Sequence, residues 1–266
     1  LQSGAGALSR ATAPPYGRYS LRGLSRWRKG TLLSFESGSE ERRMPAQVLL
    51  APKLRLARMK LASTLMELAG EVEGIALPYP KELERVLSLY AKGVVGYQRL
   101  MEAIRESMQG FSSSWLWVEE PLLLALPRLG VRRVLCYLRS AAEAFSSAAE
   151  LVSLAFRARV TGRIDLEEWR KALRGGDVEV KEGYVTIASR APQGLQARDT
   201  WGLPYPPAET LDPANLSEEA VKEYVDYVFN YITRSRNLDE AYLRWLEEKK
   251  GLRVPELWDL LKLVAR

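Results

Sequence analysis

Histidine is absent from the 266 residues, and cysteine occurs once, at Cys136. Without imidazole there is no Ser-His-Asp or Cys-His nucleophile system, no HExxH zinc site and no histidine general base. A lone thiol forms no internal disulfide and no multi-thiolate metal centre, and it points to a reducing, cytoplasmic compartment. No apolar run approaches the ~20 residues that span a bilayer, so no membrane contact is expected. The richest run, residues 121–130, is broken by Pro127. Glycine motifs that cradle phosphates are missing too: there is no G-x-x-x-x-G-K-[ST], and no G-x-G-x-x-G follows a predicted strand. Any chemistry would fall to carboxylates, Lys, Arg or Tyr. No metal or cofactor is expected, and a role without catalysis is favoured. Asn and Gln are scarce beside Glu, Lys and Arg, a balance compatible with a heat-adapted source.

What the chain does have is positive charge, unevenly placed. The net charge is +6. Eight of the 39 basic residues fall in residues 1–43 against three of the 33 acids, so this stretch alone accounts for five of the six net charges. It mixes Ser, Gly, Ala, Pro and Arg without an apolar period and contains no acid before Glu36. That composition predicts a disordered basic arm. Arg18, Arg22, Arg26, Arg28 and Lys29 are its candidate phosphate contacts. The same composition also fits an organellar targeting segment, or a leader incidental to a functional chain that begins at Met44. The remainder is long enough to bury a proper core.

Residues 44–130 read as a helical domain. In residues 53–70, Leu54, Ala57, Leu61, Leu65 and Leu68 share one helical face, and Gly70 is the expected terminator. Lys53, Arg55, Arg58 and Lys60 form a basic cluster on this helix, either solvated or facing phosphates. Helices are also expected after Pro80, after Gly93 and from Ser112, the last interrupted by Pro121 and Pro127. Trp115 and Trp117 are expected to be buried aromatics. Val131, Val134, Leu135 and Leu138 suggest one more helix face.

Residues 131–189 carry the most specific pattern. Ser146 and Ser147 are candidate N-caps for a helix that turns at Thr161-Gly162-Arg163. Asp165 caps "LEEWRKAL", with Glu168 as capping-box partner, and Gly175-Gly176 ends it. Val178, Val180, Val185 and Ile187 then alternate around Lys181-Glu182-Gly183-Tyr184, which predicts a β-hairpin. Helix, turn, helix and hairpin in this order resemble a winged helix-turn-helix domain. The resemblance implies DNA binding, with "DLEEWRKAL" in the major groove and the hairpin along the backbone. Arg170, Lys171 and Arg174 on the helix and Lys181 on the wing would be the contacts. Asp165, Glu167 and Glu168 oppose this, since they place three carboxylates at the reading end.

"VTGRIDLEEW" followed by "DVEVKEGYVTI" is also similar to the order found in tyrosine recombinases, where a Thr-Gly-(x)-Arg stretch, a helix and a lysine-bearing hairpin follow a helical domain. That resemblance implies Arg163 as phosphate clamp and Lys181 as general acid. The family's later His/Lys-x-x-Arg motif and nucleophilic tyrosine find no match, although Tyr231 and Tyr242 occur late. Asp177, Glu179 and Lys181 fit a metal-dependent nuclease hairpin by letter, but surface charge explains them more simply.

Residues 190–216 hold five prolines and read as a linker. Residues 217–266 predict three helices in a bundle, with starts at Ser217 and Asn237 and a stop at Gly251. The stripe Leu257, Leu260, Leu261 and Val264 either covers the core or binds a protein partner or a second copy. The sequence thus predicts a mainly α protein: a helical N-terminal half, a winged-helix-like centre with one hairpin, and a helical C-terminal bundle. Its expected function is DNA binding without catalysis. A divergent tyrosine recombinase and a structural helical subunit of a nucleoprotein assembly are the alternatives.

Overall fold

The computed structural model describes residues 46–108, 112–138, 140–174, 178, 180–192 and 195–264. Helices dominate, but they surround a parallel sheet. The elements are β1 (Gln47–Leu50), α1 (Arg55–Glu67), β2 (Gly74–Pro80), α2 (Glu84–Ala91), α3 (Tyr97–Met108), α4 (Ser112–Ala125), β3 (Arg133–Leu138), α5 (Ala141–Thr161), α6 (Leu166–Leu173), β4 (Tyr184–Ala188), β5 (Ala197–Asp199), α7 (Pro207–Thr210), α8 (Glu218–Asn230), α9 (Leu238–Lys250) and α10 (Pro255–Val264). The strand order is β3-β2-β4-β1-β5, with every pairing parallel. The protein is therefore mixed α/β.

This corrects the mainly α expectation at three places. "QVLL" and "GIALPYP" are strands inside the supposed helical domain, and "RVLCYL" is a strand where a helix face was expected. Strands of a parallel sheet are covered on both faces, so their sequences lose the polar alternation that marks a half-exposed strand. β2 also contains Pro78 and Pro80, the second of which was expected to open a helix. Both are accommodated because β2 pairs with β4 only over Gly74–Ala76, and its register with β3 shifts between Leu77 and Pro80.

The hairpin is the second correction. Val178 and Val180 lie in no strand, and the stretch Tyr184–Ala188 is buried at every position. It pairs on one side with β2 and on the other with β1, as an interior strand. Alternation of Val185 and Ile187 reported a strand correctly but not its neighbours. Gly175, Gly176, Asp177 and Glu179 lie outside the described residues, so the nuclease pattern does too. The sheet draws on residues 47–199, and the segment read as a linker supplies β5 and α7.

One face of the sheet makes the main core. Leu49, Ile75, Leu77, Val134, Val185 and Ile187 meet Leu61 and Leu65 of α1 and the apolar faces of α2, α3 and α4. The far side of α1, with Leu54, Leu56 and Ala57, meets Trp201, Tyr227, Tyr242 and Trp245 of the C-terminal region. Helix α1 is thus enclosed from two directions, which decides what its charged residues must do. A third cluster joins α5, α6 and α8 around Leu154, Trp169 and Tyr224.

Local capping signals hold where they were clearest. Asp165 accepts from the backbone N–H of Glu167 at 2.9 Å and Glu168 at 3.3 Å, starting α6 at the expected residue. Ser217 and Asn237 cap α8 and α9 at 3.1 and 2.9 Å. Gly162 and Gly251 end α5 and α9 in the left-handed region, at φ 69° and 65°. Helix α5, however, begins earlier than expected: Ser140 is its cap, and Ser146 and Ser147 lie within it. Leu261 of α10 is buried, with Leu257, Leu260 and Val264 packed beside it, so that stripe covers the core.

Candidate functional site at the sheet edge

Parallel sheets bind ligands outside the carboxyl ends of their strands, where neighbouring strands send the chain in opposite directions. Here β1 and β4 are such neighbours: β1 leads toward β2 on one side, β4 toward β5 on the other. The turn from β1 into α1 would ordinarily offer a helix N-terminus to an anion. Its N-cap position is Leu54, which has no side-chain acceptor to offer.

Two distant carboxylates fill that role. Asp239, near the start of α9, accepts from the backbone N–H of Arg55 at 3.0 Å and of Leu56 at 2.8 Å. Glu209, on α7, accepts from the N–H of Lys53 at 2.6 Å. Asp239 is fully buried, and burial raises its carboxyl to about 6, opposed by those amide hydrogen bonds and by the Arg55 charge. Burial also raises the Glu209 carboxyl, while Lys53, Arg58 and Arg190 pull it back. Glu209 Oε2 is shut away from solvent and has no hydrogen-bond partner among the described residues. The turn that could hold a phosphate is occupied by the protein's own anions.

Three of the four cations of the basic cluster are engaged in the same manner, while the Lys53 side chain is exposed. Arg58 is 1% exposed; its Nε donates to Glu119 Oε2 at 2.7 Å, and its Nη1 donates to the Ala51 carbonyl at 3.3 Å. Tyr79, at the end of β2, donates its hydroxyl to the same Glu119 oxygen at 2.7 Å. Burial, then the Glu119 charge, holds that phenol well above its ordinary value. Lys60 donates to the Trp201 carbonyl at 2.7 Å. Arg55 Nη2 bonds Glu120 at 2.8 Å, and Nη1 bonds the Trp117 carbonyl.

That last contact explains a proline. Pro121 sits inside α4 and has no N–H to give the carbonyl four residues earlier, which is Trp117. Arg55 supplies the missing donor and lies 5.3 Å from the centre of the Trp117 ring. Trp115 packs edge-on to Tyr79 at 4.8 Å. Both tryptophans therefore serve the interior.

Arg190 follows β4, half-buried, with Nε donating to the Glu209 carbonyl at 3.3 Å. Burial lowers its affinity for the proton, and Glu209 and Asp212 oppose that. The Tyr137 hydroxyl, from β3, reaches the Ile187 carbonyl of β4 at 2.6 Å. β2 lies between those two strands.

The residues singled out from sequence lie elsewhere. Arg170, Lys171 and Arg174 gather at the C-terminal end of α6, where Arg170 pairs with Glu167. Trp169, Ala172 and Leu173 of that helix are buried, so its packing face is inward. Lys181 is exposed ahead of β4, its Nζ 5.0 Å from the centre of the Tyr184 ring. It stands on no wing. Arg163 is exposed in the turn after α5. Arg18, Arg22, Arg26, Arg28 and Lys29 lie outside the described residues. The two late tyrosines are internal: Tyr231 donates to Glu248 at 3.0 Å, and Tyr242 donates to the Pro204 carbonyl at 2.8 Å.

Sequence reasoning did not find Glu209 or Asp239, which sat in a supposed linker and an ordinary first turn. Leu54 was the available signal, because a helix start without Ser, Thr, Asp or Asn must draw its acceptors from elsewhere. No family model, curated protein or solved structure matches the chain.

Proposed function

We propose that the protein binds DNA through the arginine-rich stretch of residues 1–43, carried on an α/β body whose own phosphate position is closed. The observation that carries this reading is the partition of charge. Five of six net positive charges belong to the first 43 residues. The cations of α1 are turned onto Glu119, Glu120 and backbone carbonyls. An acid-poor arginine segment neutralises phosphates without needing a folded pocket. The α6 cations are secondary in this reading, because the wing that would accompany them is absent and Glu167 and Glu168 share their helix.

The test replaces Arg18, Arg22, Arg26, Arg28 and Lys29 together with alanine. Gel shifts on duplex and single-stranded DNA at 50 and 200 mM salt then compare this variant with the unaltered chain. Five lost phosphate contacts should remove a salt sensitivity of about 10²–10³ in affinity across that range. Equal binding by both proteins at both salts contradicts the proposal.

A further inference from the structure

We propose that α5 is a self-association face, through which two copies of this chain pair antiparallel. Helix α5 buries Leu154, Ala155 and Ala158 against α6 and α8. Its opposite side carries Val152, Phe156 and Val160, which are 51%, 59% and 67% exposed. Their spacing of four residues sets them in one continuous row along the helix. Phe156 stands 6.4 Å from the ring of Phe229 on α8, which widens the apolar surface. Large apolar side chains aligned on a 21-residue helix are the form of a surface that meets a partner.

The charges beside the row select a second copy as that partner. Glu150 and Arg157 lie seven residues, two helical turns, apart and share one flank. Glu168 and Lys171 of α6 line the shallow groove on the same flank, so it holds two acids and two bases. When two such helices run antiparallel about a two-fold axis near residues 153–154, the same flank of each faces the other. Glu150 then meets the partner's Arg157, and symmetry makes the contact twice. The apolar rows interdigitate at the axis. A parallel copy would set this flank against the opposite flank of its partner, so Glu150 and Arg157 would not meet across the interface. Arg157 already bonds Glu168 in each copy, so Glu150 of the partner extends an existing pair. A single helix pair buries little surface, so the dimer is a reversible one that forms with rising concentration.

Sedimentation equilibrium on the full chain over a concentration series tests this, with circular dichroism and thermal melting to confirm folding. The unaltered chain should pass from monomer to dimer as concentration rises. Phe156→Glu should raise the dissociation constant at least tenfold with an unchanged melt, because Phe156 is exposed. Glu150→Arg and Arg157→Glu should each weaken the dimer, and the double reversal, made with Glu168→Arg so that position 157 keeps an opposite charge within its own copy, should restore it. A chain that is monomeric at every concentration overturns the proposal. So does a dimer indifferent to Phe156→Glu, or one that the double reversal leaves as weak as the single reversals.

Discussion

Replacing Glu119 with glutamine removes one charge and almost no volume, so it isolates what holds Arg58 in place. Arg58 and Glu119 are 1% and 3% exposed, and Nε to Oε2 is 2.7 Å. Breaking one side of a buried pair strands the other charge, which costs about 3–5 kcal/mol. In a body of this size each kcal/mol lowers the melting temperature by about 2–4 °C, so the loss should be about 10 °C. Arg58→Met should cost a similar amount by stranding Glu119. The double variant Arg58→Met/Glu119→Leu should recover most of both losses, because a pair exchanged for matched apolar groups is often neutral. What remains is the Tyr79 hydroxyl, left without its acceptor at about 1–3 kcal/mol, and adding Tyr79→Phe should recover that. Guanidinium denaturation at one temperature of the unaltered chain, Arg58→Met, Glu119→Leu and the double variant supplies the cycle, with Glu119→Gln and the triple variant measured beside them. If Glu119→Gln costs under about 1 kcal/mol, or if the two single losses simply add, the charges are not confined as the geometry requires.

Two further perturbations bear on the closed sheet edge and the strand pairing. Asp239 has its carboxyl raised to about 6 in the fold against about 3.9 in an unfolded chain. Its proton is therefore favoured by the folded state: the associated stability is complete below about pH 4 and is lost as pH rises through 6. The stability difference between the unaltered chain and Asp239→Asn should fall by about 2–3 kcal/mol from pH 4 to pH 7, and a difference constant across that interval contradicts the assignment. Gly74 faces Tyr184 across β2 and β4, and a Cβ there would sit 2.3 Å from the Tyr184 ring. Gly74→Ala should cost about 1–3 kcal/mol through this overlap. Tyr184→Leu in the same chain should recover part of the loss, and the absence of any cost would contradict the β2–β4 register.

Much of the helical part was legible because its signals are local. Asp165, Ser217 and Asn237 each satisfy amides two or three residues away, and Gly162 and Gly251 each solve a backbone problem at one position. The sheet was illegible for the opposite reason. Residues 131–138, with Val131, Val134, Leu135 and Leu138, fit a helical face and a buried strand equally well, and the choice depends on β2, more than fifty residues earlier. The pairing of β4 with β1 joins residues 138 positions apart, as Gln47 and Val185 show. A hairpin satisfies the same alternation with the nearest partner, so proximity suggested it. The sheet edge was harder still, because Lys53, Arg55 and Leu56 meet Glu209 and Asp239 from more than 150 residues away. The one local sign in "APKLRLAR" is Leu54, which offers no cap, and nothing there says which distant residues supply the acceptors.

The salt dependence of DNA affinity, measured side by side on the whole chain and on residues 44–266, tests the central claim most directly. A nearly neutral body with a closed phosphate position and a basic first 43 residues predict a steep loss of affinity with salt for the whole chain. The logarithmic slope should reach about −4 or steeper, and the shortened chain should show weak binding with a slope near zero. Equal affinities and equal slopes for the two proteins would contradict it, and would place the phosphate contacts on the α/β body.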